Sequence, residues 1–203
     1  LRNVPPEIEA DCVTLWLCRG GHVVHYPVSN WRNFNIVAAS EGAAENAEWY
    51  ADAAPGEVAR RFSGVCEELA ALLAAATAWR RWPGMDLPEL PRWSNGTVAL
   101  LGDAAHATLP YLAQGAVMAL EDAVVLARAA TRGRVLPEVF AAYERLRRPR
   151  TARIQEQSRA MSRIYHAAGP VALARNLTLR LASDSFALNR LAWIYRWSPD
   201  SPG

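Results

Sequence analysis

An α+β fold is predicted for this 203-residue chain, and three observations predict it. Apolar residues alternate with a period of two through the first forty positions, the mark of strands that bury one face. The spacing turns helical around Pro55-Gly56. A short apolar run, Thr97–Leu101, then ends in Gly-Asp, and the rest of the chain carries helical patterning. The composition, 51% hydrophobic and 21% charged, is that of a packed globular protein and excludes disordered, collagen-like and coiled-coil classes.

Cys12–Cys18 and Val23–Val28 are apolar runs with β-branched residues, separated by Arg19-Gly20-Gly21, a hairpin signal. Phe34–Ala39 follows the turn Ser29-Asn30-Trp31-Arg32-Asn33 and completes a three-stranded antiparallel meander. Within Gly21–Pro27 the period of two sets His22, Val24 and Tyr26 on one face, with Val23 and His25 on the other. Glu57–Phe62 and Cys66–Ala76 are predicted helices: Pro55 stands just before the first, and Leu69, Leu72 and Leu73 share a face of the second. Thr77–Trp82 is a return to strand. The three prolines of Pro83–Pro91 require a loop. Thr97–Leu101 is expected to be a short strand of the fully buried type.

Helices then follow one another: Leu112–Ala130, and Pro137–Arg148 with Val139, Phe140, Tyr143 and Leu146 on one side. Pro149 either kinks that helix or opens the next at its first position. Arg150–Ala167, Val171–Leu181 and Phe186–Tyr195 complete a helical tail. In chain order this gives three segments, residues 1–96, 97–130 and 131–203.

All 22 basic residues are Arg, and the net charge is +2. Residues 1–130 hold nine Arg against fifteen acids, whereas residues 131–203 hold thirteen against five. The basic part is read as a solvated helix face, with no nucleic-acid partner expected. Apolar runs such as Ala70–Ala76 fall far short of the ~20 residues that span a bilayer, so no integral membrane segment is expected. Cys12, Cys18 and Cys66 show no metal-ligand spacing and no even framework, which points to a reducing cytoplasm and no metal. The opening Leu1-Arg2-Asn3-Val4-Pro5-Pro6-Glu7 has neither an initiator Met nor the apolar core of a signal peptide.

The chemistry-bearing stretch is Val98-Ala99-Leu100-Leu101-Gly102-Asp103-Ala104-Ala105-His106. Gly102 at the end of a strand lets a ligand approach the backbone closely. Asp103 beside it either accepts hydrogen bonds from sugar or polyol hydroxyls or caps a turn. The helix opening at Gln114-Gly115-Ala116 offers free N–H groups and the positive end of a dipole. Together these suit a polyol joined to an electron-rich ring system.

Gly102-Asp103-Ala104-Ala105-His106, Pro110, Gln114-Gly115-Ala116 and Leu120-Glu121-Asp122-Ala123 together resemble the second flavin-binding segment of FAD-dependent aromatic hydroxylases, the single-component flavoprotein monooxygenases. Trp79–Trp82, Leu90-Pro91-Arg92-Trp93 and Thr97–Ala130 are similar to the salicylate hydroxylase branch. Gly21–Pro27 with Trp31-Arg32-Asn33-Phe34-Asn35 is similar to the 3-hydroxybenzoate 6-hydroxylase branch. The resemblance implies that Asp103, next to Gly102, binds the ribityl chain of FAD. It implies that Pro110, Leu112, Ala113 and Gln114 pass beside the isoalloxazine, and that the N–H groups of Gly115 and Ala116 face its pyrimidine edge. It also puts His22 and Tyr26 in the substrate pocket, where His22 binds or helps deprotonate a phenol. Taken in isolation, His22 reads as a structural sheet histidine; His25 and His106 are given structural roles, and His166 a surface or helix-end role.

The implied activity is hydroxylation of a phenolic or N-heteroaromatic carboxylic acid, with NADH or NADPH as reductant and O₂ as co-substrate. The sequence departs from the family at Ala107, where Pro is frequent, and at Asp86-Leu87-Pro88, where Asp-Arg-x-Pro is usual. The Gly-x-Gly-x-x-Gly fingerprint that opens such enzymes does not occur. The implied fold is therefore an incomplete, glutathione-reductase-like Rossmann FAD-binding fold. Its parts would be a substrate-binding sheet with helices (1–96), the Gly-Asp segment of the FAD-binding domain (97–130) and C-terminal helices (131–203). The chain is expected to be a C-terminal piece whose N-terminal Rossmann half is missing, to bind FAD weakly by itself, and to have a homodimer among its assembly states. Two other readings remain: a related flavoprotein acting on a polyketide or quinone precursor, and a non-catalytic truncated fragment.

Overall fold

The computed structural model describes Ile8 and residues 11–42, 49–131 and 135–200. The chain packs as two compact units, Leu1–Pro83 with Arg163–Asn176, and Gly84–Ser162 with Leu177–Gly203. This is a division by packing, whereas the three segments 1–96, 97–130 and 131–203 follow chain order.

The first unit is built on the antiparallel sheet β1 (Thr14–Cys18), β2 (Gly21–Val28) and β3 (Asn33–Ser40), in the order β1-β2-β3. Gly20 turns the β1–β2 hairpin at φ +69°, a left-handed conformation that suits glycine. Gly21 is required for a different reason: a Cβ there would lie 2.8 Å from the Ala39 carbonyl oxygen and 3.1 Å from the Phe62 ring. In the register, Val23 stands opposite Trp16 and Ala38, and His25 opposite Ile36. That face packs with Phe62, Leu69, Leu72 and Leu73 in one apolar cluster. These come from or adjoin α1 (Pro55–Arg61) and α2 (Glu67–Ala75), the helices announced by Pro55 and the leucine spacing. Each fully buried Leu contributes roughly 1.5–3 kcal/mol. A small ribbon, β4 (Ala51–Ala53) with β5 (Trp79–Arg81), completes the strands of this unit.

The second unit departs from expectation at its apolar run. Thr97–Leu101 is not a buried strand. Only Val98–Ala99 (β7) is extended; it pairs with Ser94–Asn95 (β6) across Gly96, and Val98 is 63% exposed. A two-stranded ribbon covers neither face of such a segment, whereas burial on both faces needs neighbouring strands and a covering layer. The helices are α3 (Asp103–His106), α4 (Gly115–Ala130), α5 (Leu136–Tyr165), α6 (Gly169–Leu181) and α7 (Asp184–Tyr195), with a single 3₁₀ turn at Pro110–Leu112 before α4. α5 and α6 are shared in sequence between the two units.

Of the two outcomes open for Pro149, a place within one helix or the start of the next, the structure has the first: it lies inside α5. Proline in a helix interior costs about 3 kcal/mol through its missing N–H donor. Buried side chains on both flanks, Tyr143 and Arg147 before it and Arg150, Thr151 and Ile154 after it, hold the helix together across the gap. Tyr143, Trp93, Ala105 and Val125 form the apolar cluster of this unit, and the Tyr143 hydroxyl donates to the Leu100 carbonyl at 3.2 Å. Burial pushes the Tyr143 phenol well above its ordinary range, with Asp122 adding to the effect.

The basic segment 131–203 is only partly a solvated face. Arg147 and Arg150 are buried, and Arg150 forms a two-pronged contact with Glu121 at 2.7 and 2.6 Å. Both guanidinium groups lie over the Trp197 ring, 4.7 and 4.5 Å from its centroid. Arg148 pairs with Glu89, and Arg159 with Asp86. Much of the charge excess is thus the complement of acids earlier in the chain. Among the described residues, no helix is long and apolar enough to cross a membrane, and no cluster of three His, Cys, Asp or Glu is placed to hold a metal.

Candidate functional site

In the first unit, His22, Val24 and Tyr26 share the sheet face opposite the apolar cluster, since they alternate with Val23 and His25 along β2. Tyr26 faces Asn35 across the β2–β3 pair, and its hydroxyl accepts from Asn35 Nδ2 at 2.6 Å. His22 is 5% exposed. Its Nδ1 lies 3.0 Å from His166 Nε2, and its ring meets Tyr165 edge-on at a centroid distance of 5.4 Å. Burial, and then the neighbouring His166, lower the His22 pKa from 6.5 to about 4, so the ring is neutral at physiological pH. His25 sits among Trp16 and Phe34 on the core side, with neither ring nitrogen hydrogen-bonded among the described residues, and burial lowers its pKa as well.

Of the surface or helix-end role expected of His166, the structure has the second: it directly follows the end of α5 and is not at the surface. It is buried, and its Nδ1 lies 3.1 Å from Glu41 Oε1. The backbone of the β1–β2 turn fixes this arrangement: Gly20 N–H donates to the His166 carbonyl at 3.1 Å, and Glu41 N–H donates to the Gly20 carbonyl at 3.0 Å. Sequence reasoning missed both His166 and Glu41. No local pattern joins residues 144 positions apart.

In the second unit the Gly-Asp turn opens α3. Gly102 takes φ +60° and ψ −139°, and its N–H donates to Asp122 Oδ2 at 3.0 Å. Asp103 is exposed, and its carboxylate makes no hydrogen bond within the described residues. The chain then runs through Pro110 and Leu112 to Ala113, which is in the left-handed region at φ 52° and turns the backbone into α4. Gln114 is buried and spends its side chain on the Leu112 carbonyl, at 3.3 Å, so no side chain caps the N–H groups of Gly115 and Ala116. Ala113 and Ala116 are exposed, and a Cβ on Gly115 would meet nothing within 4 Å. Gln155 Nε2, donating to the Leu87 and Ala107 carbonyls, and Ser158 Oγ, donating to the Leu109 carbonyl, tie the approach loop to α5.

Behind this turn lies a buried ionic cluster that sequence reasoning also missed. Asp122 accepts from Gly102 N–H and from Arg147 Nε at 2.6 Å, and its Oδ2 lies 2.6 Å from His106 Nε2. Burial pushes the Asp122 pKa up, but these hydrogen bonds outweigh it and hold the carboxyl below its usual range. His106 therefore anchors the loop from inside the unit.

A family model described as an FAD binding domain matches residues 6–158. The chain belongs to this FAD-binding-domain family. It is 36% identical to 3-hydroxybenzoate 6-hydroxylase of Klebsiella oxytoca over 98% of its own length and 50% of that relative. It is 34% identical to salicylate hydroxylase of Pseudomonas putida over 94% of the chain and 46% of the relative. The chain thus spans about half the length of these curated relatives. Among solved structures, a salicylate hydroxylase substrate complex matches with a TM-score of 0.80 and 29% identity, covering 93% of this chain and 48% of the other. Klebsiella pneumoniae HpxO, complexed with FAD and uric acid, matches with a TM-score of 0.80 and 27% identity over 95% of this chain and 50% of the other.

The residues of this family member fit the flavin that the family is named for. An unpartnered carboxylate suits a polyol chain. Uncapped N–H groups at a helix start suit electron-rich carbonyl or imide edges. The small residues Ala113, Gly115 and Ala116 leave room for a flat ring.

Proposed function

We propose that the chain forms part of an FAD-dependent monooxygenase that hydroxylates a phenolic or N-heteroaromatic carboxylic acid, using NADH or NADPH and O₂. The observation that carries this reading is the exposed, unpartnered Asp103 at the Gly102 turn, in one compact unit with the uncapped start of α4. Curated relatives named as hydroxybenzoate and salicylate hydroxylases, matched along nearly the whole chain, support it.

In this reading Asp103 holds the ribityl hydroxyls. The N–H groups of Gly115 and Ala116 bind the pyrimidine edge of the ring. Pro110, Leu112, Ala113 and Gln114 shape the wall beside it. When bound, FAD supplies the redox chemistry, carrying the electrons of NAD(P)H to O₂. His22, neutral and buried, accepts the proton of the substrate phenol at a ring nitrogen, which makes the aromatic ring more electron-rich. Tyr26, its hydroxyl already accepting from Asn35, keeps its own O–H proton to donate to a substrate oxygen. In chain order, residues 1–96 handle the substrate, 97–130 the flavin, and 131–203 support both.

The test uses the protein carrying this chain, purified with its flavin. Hydroxylated product is measured against NAD(P)H consumed, with 3-hydroxybenzoate, salicylate and a purine as trial substrates. A product-to-NAD(P)H ratio near one with 3-hydroxybenzoate or salicylate supports the reading, whereas coupled turnover of the purine alone overturns its substrate class. Absence of flavin absorbance, or NAD(P)H oxidation without product on all three, overturns it.

A further inference from the structure

His22, His166 and Glu41 form one continuous chain of hydrogen-bonding atoms: His22 Nδ1 to His166 Nε2 at 3.0 Å, and His166 Nδ1 to Glu41 Oε1 at 3.1 Å. The two rings are buried, whereas the Glu41 side chain is 66% exposed. The chain therefore leads from the interior of the first unit to solvent. Its backbone frame meets at the hairpin turn, where Gly20 N–H donates to the His166 carbonyl and Glu41 N–H donates to the Gly20 carbonyl.

A carboxylate can only accept a hydrogen bond. It therefore selects the His166 tautomer that carries its proton on Nδ1. The Nε2 of His166 is then a lone pair, which can only accept from His22. That in turn selects the His22 tautomer with its proton on Nδ1 and a lone pair on Nε2. The opposite assignment would set a lone pair of His166 against the carboxylate.

We propose that Glu41 and His166 are positioning residues that fix the tautomer of His22, leaving its Nε2 as the proton acceptor and giving the accepted proton a route to solvent. The proposal rests on the reading of His22 as the group that deprotonates a phenol. In the step, the phenol O–H bond breaks and its proton joins His22 Nε2. The Nδ1 proton of His22 passes to His166 Nε2, and the Nδ1 proton of His166 passes to Glu41 and on to water. The sum is a phenolate, one proton in solvent and both rings in the Nε2–H tautomer; a proton returning along the same chain to the product phenolate restores the starting tautomers. Tyr165 on α5 lies edge-on to His22, and Arg175 on α6 donates to the Ile164 and Tyr165 carbonyls at 2.9 and 3.0 Å and closes the end of α5.

Ring-nitrogen NMR of the histidine-labelled 203-residue chain tests the tautomers without flavin or substrate. The expected result at neutral pH is Nδ1–H on both His22 and His166. In Glu41→Lys the exposed carboxylate becomes a donor, and both rings should switch to Nε2–H. An Nε2–H tautomer of His22 in the native chain, or rings that ignore Glu41→Lys, would overturn the proposal. In the flavin-loaded protein, Glu41→Lys should slow phenol hydroxylation about tenfold or more with flavin content unchanged. Asp52→Lys, an equal charge change at an exposed position of the same unit, should not. Equal rates in native and Glu41→Lys protein would refute the proton route. Correct tautomers with no hydroxylation by the native protein would refute the proposed activity instead.

Discussion

In an unfolded chain the His22 imidazole titrates near 6.5; in the fold, burial and then the neighbouring His166 lower this to about 4. Between these two values the unfolded state binds a proton that the folded state refuses. The His22 contribution to stability is therefore complete above pH 6.5. It is lost as pH falls from 6.5 to about 4, and no further loss arises from this group below that. One unit of displacement corresponds to about 1.4 kcal/mol, so the whole effect is about 3 kcal/mol, and roughly 2 kcal/mol of it is gone by about pH 4.5. The perturbation that isolates it is His22→Asn, which keeps a short polar side chain able to donate to His166 but removes the titrating ring. Urea unfolding, followed through the amide signals of β2 at about pH 7 and about pH 4.5, measures the drop in each protein. The native drop should exceed the variant's by about 2 kcal/mol. The buried His25, also lowered, contributes in the same direction to both proteins and cancels in the comparison. Identical drops would show that His22 is protonated in the folded state without penalty, and the reasoning from burial would fail.

Three further outcomes are expected. Asp122→Asn takes from the fully buried Arg147 one of its two carboxylate partners, Glu121 at 2.6 Å being the other, and should cost about 1–3 kcal/mol in urea unfolding; pairing it with Arg147→Met should recover part of the loss. Gly102→Ala places a Cβ 3.2 Å from that of Ala119 at a φ of +60°, and should destabilise by about 1–3 kcal/mol, whereas Gly115→Ala, which meets nothing, should leave Tm nearly unchanged. Asp103→Ala removes an exposed side chain and should not move Tm, but should weaken FAD affinity in the flavin-loaded protein by about tenfold or more, read by flavin fluorescence on dilution.

The parts of this fold that were legible in the sequence are those whose cause is local. Period-two alternation placed His22 and Tyr26 together on one face of β2, because strand pleating acts over neighbouring residues. Leu69, Leu72 and Leu73 announced α2 and its buried face for the same reason. Where a second strand or helix decides the outcome, local pattern failed. Thr97–Leu101 has the apolar content of a buried strand, yet β7 is a two-residue ribbon with Val98 facing solvent, since its only pairing among the described residues is with β6. Pro149, by its missing donor, left open a helix interior or a helix start, and the burial of Arg147, Arg150 and Ile154 on its two sides decides for the interior. The residues proposed to meet the flavin were legible only as words, from Gly102 through Ala116, and not as geometry.

The charges were the least legible, and they show why. An excess of Arg in residues 131–203 reads as a solvated surface when counted along the chain. In space, Arg147 and Arg150 meet Asp122 and Glu121 from α4, and Trp197 covers both guanidinium groups. Burying such pairs gains little net stability over an apolar core of the same shape. What they do gain is position. Asp122 reaches from α4 to the Gly102 amide and the His106 ring, so the turn that presents Asp103 is fixed from behind by a group whose own charge Arg147 balances. A turn held only by apolar contacts could slide along α4; one held by directional bonds to a buried carboxylate cannot without leaving that carboxylate unsatisfied. The ionic cluster of the second unit thus does for Asp103 what Glu41 and His166 do for His22 in the first. In each unit, charged partners distant in sequence set the geometry of the residue proposed to meet a ligand.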